Sequence, residues 1–158
     1  MTGSQRAEPF VEPSRAEIPA RTREHVAAME SSDADEVWNA AGMRHLLLYT
    51  VGRRSGREQK AALPYWLDPE GHRIVVASYA GAPRHPAWYL NLADRRANPL
   101  VRVRVQGGAF WAEARILEGE DYRRTWDALT ADRPFYAEYQ SRTTRRLALV
   151  RLVERRAA

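Results

Sequence analysis

The sequence predicts an α+β fold in which about six mostly antiparallel strands form a closed or split β-barrel, with helices packed outside. Three observations carry this. Strand-like runs come early and are joined by short turns bearing Gly or Pro. Val101, Val103 and Val105 alternate with Arg102, Arg104 and Gln106, the period of a half-exposed strand. Helical patterns fall in one connection and near the end of the chain, not after every strand as in β/α units. With 158 residues, 44% of them hydrophobic, one domain can bury roughly two thirds of the surface its unfolded chain exposes.

Residues 1–20 carry Pro9, Pro13 and Pro19 among charges and few apolar residues, which predicts a mobile arm ahead of a single domain over 21–158. Arg21 to Ser32 reads as a short helix with Val26 and Met29 on one side. Leu46 to Val51 is the first strand, and the turn Gly52-Arg53-Arg54-Ser55-Gly56 ends it. A second strand runs through residues 62–67, with Pro64 marking an edge or a bulge. Asp68-Pro69-Glu70-Gly71 is a turn, and Arg73 to Ser78 is a third strand apolar enough for burial on both faces. A loop from Ala80 leads to a helix over Pro86–Ala93, with Pro86 as its first residue. Gly107-Gly108 turns the valine strand into another over Phe110–Leu117. Glu120–Leu129 and Phe135–Ser141 read as helices, and Leu147–Val153 as the last strand.

Charge and composition narrow the chemistry. The net charge of +5 hides an acidic stretch, residues 1–40 at −4, and a body of +9 over 41–158. The basic side is 24 arginines and one lysine, Lys60, and arginine is the fork that matches phosphates and carboxylates. The absence of cysteine excludes disulfides, thiolate metal sites, iron–sulfur clusters and a cysteine nucleophile. No apolar run approaches the ~20 residues of a membrane span, and a cytoplasmic location is expected. His25, His45, His72 and His85 have no metal-ligand spacing, so no metal is expected. No G-x-S-x-G elbow marks a hydrolase. Arg102, Arg104, Arg145 and Arg146 come without any nucleic-acid motif and read as a solvated face.

Three segments offer chemistry, each beside an ordinary reading. The turn at 52–56 places two guanidinium groups, a hydroxyl and glycine-freed amides together, followed by Arg57 and Lys60. It is either an anion site or a solvated hairpin tip. Residues 78–92 leave a buried strand through small residues, cross Arg84 and His85, and enter a helix at Pro86. Trp88 and Tyr89 there either wall a flat ligand or belong to the core, and His85 is either functional or a structural cap. Tyr136 and Tyr139 share one helix face and either contact a substrate or pack on the sheet.

The segments G-R-R-S-G (52–56), S-Y-A-G-A-P-R-H-P-A-W-Y-L-N-L (78–92), A-N-P (97–99) and F-Y-A-E-Y-Q-S-R-T (135–143) resemble the deazaflavin-dependent nitroreductase family, including its quinone-reductase branch. The resemblance covers roughly residues 24–153. It implies a split β-barrel and the deazaflavin coenzyme F-420, with FMN the less favoured cofactor. It implies that Arg53, Arg54, Ser55 and Lys60 hold the cofactor's phosphate and acidic tail. Ala77, Ser78, Arg84, His85, Pro86, Ala87 and Trp88 would line the ring, with Asn91 nearby. Tyr136 and Tyr139 would close over the substrate, and one of them, Ser78 or water would supply a proton. Tyr65 would face the substrate too. Departures fall at Gln59, where the family usually has Arg, at Ala62, where it usually has Pro, and at Pro64 and Arg133.

The expected activity is hydride transfer from reduced F-420 to a small acceptor: a quinone, a nitroaromatic or an activated enone. A ligand-binding barrel without turnover is the alternative. No nucleic-acid partner and no stable membrane insertion are expected, and a homodimer is open.

Overall fold

The computed structural model describes residues 18–158. The predicted arm lies outside them except at its end. Helix α1 spans Ile18–Ser31, so residues 18–20 join the helix, where Pro19 falls in a first turn that needs no amide donor. Val26 and Met29 are buried against Trp38, Leu47 and Tyr49, which fixes α1 on the outside of the sheet. Two short elements went unread in the sequence: α2, Asp35–Trp38, and β1, Asn39–Ala40. His25 Nε2 donates to Val37 O at 2.6 Å and ties α1 to α2.

The sheet is wholly antiparallel. Its long strands are β2 (Met43–Val51), β3 (Glu58–Pro64), β5 (Arg73–Ala77), β6 (Val101–Val105), β7 (Gly108–Ile116) and β8 (Ala148–Ala157), with the two-residue β4 at Trp66–Leu67. The order runs β2-β6-β7-β8-β5-β4, and β3 flanks β2. Thus β3 lies at one edge and β4 at the other. The single residue Tyr65 carries the chain between them, its amide donating to Arg44 O at 3.0 Å. This corrects the expected continuous strand over 62–67, because pairing switches from β2 to β5 at Tyr65. Pro64 pairs with His45 on the edge strand, where a missing amide is tolerated.

Strand β5 is buried on both faces, and its alternation serves two cores. Val75 joins Leu46, Leu48, Val103, Phe110 and Val150 inside the barrel. Ile74 and Val76 face outward under α4 (Gly119–Asp132) and α5 (Phe135–Ser141), packed with Leu129, Tyr136 and Leu149. The helix after β5, α3, spans Ala87–Ala93. Pro86 is its N-cap, extended at ψ 152°, and not its first helical residue as the sequence suggested. The arginines of the solvated face have intramolecular work. Arg102 lies 3.8 Å from the Tyr49 ring centroid and Arg146 4.1 Å from that of Tyr122. No described helix is long and apolar enough to cross a membrane.

Candidate functional site

A cleft of about 740 Å³ opens between α1, the β2–β3 pair, the loop after β5, the start of α3 and α5. Of the residues singled out in the sequence, Lys60, Ser78, Pro86, Ala87, Trp88, Tyr136 and Tyr139 line it. They arrive from four separate elements, so only the fold assembles them.

The loop that leaves β5 has an unusual backbone. Tyr79, Ala80 and Gly81 all have positive φ, at 42°, 51° and 76°. Two of them are not glycine, which is costly unless the surroundings enforce it. Arg145 does the enforcing: its Nε donates to Ala82 O at 2.8 Å, Nη1 to Ala77 O at 2.9 Å and Nη2 to Ser78 O at 2.7 Å. A guanidinium thus knits three carbonyls of one loop, a task for a rigid planar fork. On its other side the loop presses on α5. A Cβ at Gly81 would meet Tyr139 O at 2.5 Å and Arg142 Cβ at 3.0 Å, so only glycine fits. Ser78 and Tyr139 are therefore held in fixed relation. The role of Arg145 left no local sign in the sequence, since its three partners lie more than sixty residues away.

The remaining expected residues sit around this cleft. Ala77 is fully buried behind it, and Arg84 is exposed. His85 packs on Tyr89 at a centroid distance of 4.7 Å, and burial and then Arg145 hold its pKa below the ordinary value. Tyr65 is buried in the barrel core and borders a different cavity, so it does not join Tyr136 and Tyr139. Burial raises the pKa of Tyr136, opposed by the Arg133 guanidinium that hydrogen-bonds it.

Arg53, Arg54 and Ser55 occupy the β2–β3 turn, closed by Gly52 N to Arg57 O at 2.8 Å and Gly56 N to Gly52 O at 2.9 Å. Side chains at 53–57 are exposed, and among the described residues the Arg54 and Arg57 guanidinium groups meet no carboxylate. The turn is docked on α3 by Asn91, which is buried and fully engaged. Its Nδ2 donates to Gln59 Oε1 at 2.7 Å and to Thr50 Oγ1 at 3.2 Å, and its Oδ1 accepts from Arg53. Asn98 completes the junction, accepting from Val51 N at 2.7 Å and donating to Val51 O at 2.9 Å. Asn91 is thus occupied by protein partners and positions the turn. Lys60, two residues beyond the turn's end at Glu58, pairs with Glu30 of α1 at 3.0 Å. That carboxylate also accepts from Tyr49, and the hydrogen bond from Lys60 lowers its pKa.

The donor set suits an anionic, flat ligand. Exposed guanidinium groups stand ahead of the start of β3, small residues Ala61, Ala62 and Ala87 leave room along the walls, and Trp88 offers a flat face. Together the fold and the site define a split-barrel protein with an open cleft beside an exposed basic turn.

Comparison with known proteins makes this specific. The profile of the family described as F420H(2)-dependent quinone reductase matches residues 21–154. The F420H(2)-dependent quinone reductase of Mycobacterium tuberculosis is 35% identical over 113 residues, covering 70% of this chain and 73% of that protein. A solved structure described as an F420-H2 dependent reductase is 34% identical at a TM-score of 0.57, over 68% of this chain and 92% of that one. Another, described as a domain-swapped dimer, is 29% identical at a TM-score of 0.60, over 88% of this chain and 99% of that one. The chain belongs to the F-420-dependent quinone reductase family. It is accordingly an oxidoreductase whose cofactor is coenzyme F-420.

Proposed function

We propose that the chain reduces quinones, and with them nitroaromatics and activated enones, in the cleft bounded by Ser78, Trp88, Tyr136 and Tyr139. The observation that carries this reading is their convergence on one cavity whose β3 wall, at Gln59 and Lys60, continues into the basic turn. Arg53, Arg54 and Ser55, with Arg57, bind the cofactor's phosphate and carboxylates by charge-assisted hydrogen bonds. Lys60 contributes a charge it shares with Glu30. The amides of Ala87 and Trp88, ahead of the first helical hydrogen bonds of α3, meet ring carbonyl oxygens. When bound, the reduced deazaflavin supplies a hydride from its ring carbon 5. Tyr136 and Tyr139 orient the acceptor, and the Arg145-braced loop keeps Ser78 in place beside it. Closing the cleft over the acceptor excludes water.

The test is turnover. Protein mixed with reduced F-420 and menadione should oxidise the cofactor well above the enzyme-free rate. Binding of F-420 without oxidation by quinone, nitroaromatic or enone acceptors would instead indicate a ligand-binding barrel. Assembly as a homodimer belongs to this reading and is supported by the relative described as a domain-swapped dimer.

A further inference from the structure

Two histidines twenty residues apart in the chain meet on the wall of the cleft. His25 of α1 and His45 of β2 have ring centroids 4.9 Å apart, tilted by 57°. Both line the cleft. Each commits one ring nitrogen to a backbone carbonyl: His25 Nε2 to Val37 O at 2.6 Å and His45 Nδ1 to Met43 O at 3.0 Å. A carbonyl only accepts, so those two nitrogens carry hydrogen whether the ring is neutral or charged. Proton exchange is left to Nδ1 of His25 and Nε2 of His45. His45 has a second exposure. It also borders another cavity, of about 630 Å³, whose walls include the carboxylates of Asp35 and Glu36.

We propose that the His25–His45 pair is the proton donor to the acceptor reduced in the cleft, and that the second cavity resupplies it. This rests on the quinone-reductase reading above.

Like charges this close repel, which disfavours both rings being cationic at once. His45 is faced by His25 from α1, by Arg133 ahead of α5, and across the second cavity by Asp35, Glu36, Arg44 and Arg73. Burial, then His25, holds its pKa down to about 4, against the Met43 hydrogen bond. His45 is therefore neutral near pH 7 and takes a proton only in transit. In the reaction a quinone takes two electrons as a hydride from the reduced deazaflavin. The His25 Nδ1–H bond breaks, an O–H bond forms on the acceptor, and the electron pair of the broken bond stays on the imidazole. The hydroquinone so formed has gained two electrons and two protons. The proton that the oxidised deazaflavin ring gives up to solvent balances the one drawn in through the second cavity.

The experiment joins kinetics to a measurement on the ligand-free protein. His25→Gln keeps an amide donor for Val37 O but carries no exchangeable charge. Its kcat with reduced F-420 and menadione should fall on the order of 10²-fold at pH 7, with F-420 affinity unchanged. His25→Ala should regain activity with added imidazole. In ligand-free wild type, ¹H–¹⁵N spectra of the rings should show His45 neutral with hydrogen on Nδ1 at pH 6. Wild-type kcat and pH profile in His25→Gln would overturn the proposal, as would a His45 ring already cationic at pH 6. A wild type that binds F-420 yet never oxidises it would overturn the functional reading itself, and this inference with it. A functional wild type with an unaffected His25→Gln overturns the inference alone.

Discussion

Asn91 Oδ1 accepts from both the backbone amide and the guanidinium of Arg53, at 3.2 and 3.3 Å. One buried side chain on α3 thereby sets where the basic turn points. Asn91→Leu has nearly the same shape but strips partners from the Arg53 amide, Gln59 and Thr50. Unfolding in urea should show a loss of about 2–3 kcal/mol. F-420 affinity should fall as well, although Asn91 need not touch the cofactor.

Arg145 holds three carbonyls of the loop over 77–82. Arg145→Lys preserves the charge and loses the fork, so it should destabilise nearly as much as Arg145→Met, by about 2–4 kcal/mol in urea titration. Both variants should raise KM for the acceptor, because Ser78 is then no longer fixed against α5.

Gly81→Ala tests the contact between that loop and α5. It combines φ of +76° with a Cβ 2.5 Å from a backbone oxygen. Calorimetry should show a drop in Tm corresponding to roughly 1–3 kcal/mol.

His45 makes stability pH-dependent. Its folded pKa of about 4 lies below the ordinary 6.5, so between these values the unfolded chain binds a proton that the folded one does not. Its contribution is complete above pH 6.5 and is lost as pH falls toward 4, by at most about 3 kcal/mol. Urea midpoints at pH 7 and pH 5 should differ by less in His45→Phe than in wild type.

Much of the fold was legible because the strands alternate or run apolar between Gly and Pro turns. Five of the six long strands lie where the pattern puts them, and β3 is displaced from the expected 62–67 to Glu58–Pro64. What stayed hidden has physical reasons. The start of β3 at Glu58, Gln59 and Lys60 is exposed at every position, so it shows no period-2 contrast. The break at Tyr65 depends on which partner strand is near, a tertiary fact that local propensity does not encode. The cleft residues on the 78–88 segment and α5 are visible as motifs, whereas Tyr65, expected to face the substrate, borders the other cavity. Arg145 and the His25–His45 pair act across long sequence separations and could be found only once the sheet was assembled.

We propose that the basic turn anchors the tail of F-420 beside the cleft. Titration of F-420 into wild type and into Arg53→Ala/Arg54→Ala, at low and moderate salt, tests it most directly. Wild type should bind saturably and more weakly as salt rises, and the double variant should bind at least about tenfold more weakly with a flatter salt response. Equal affinity and equal salt dependence in the two proteins would contradict it.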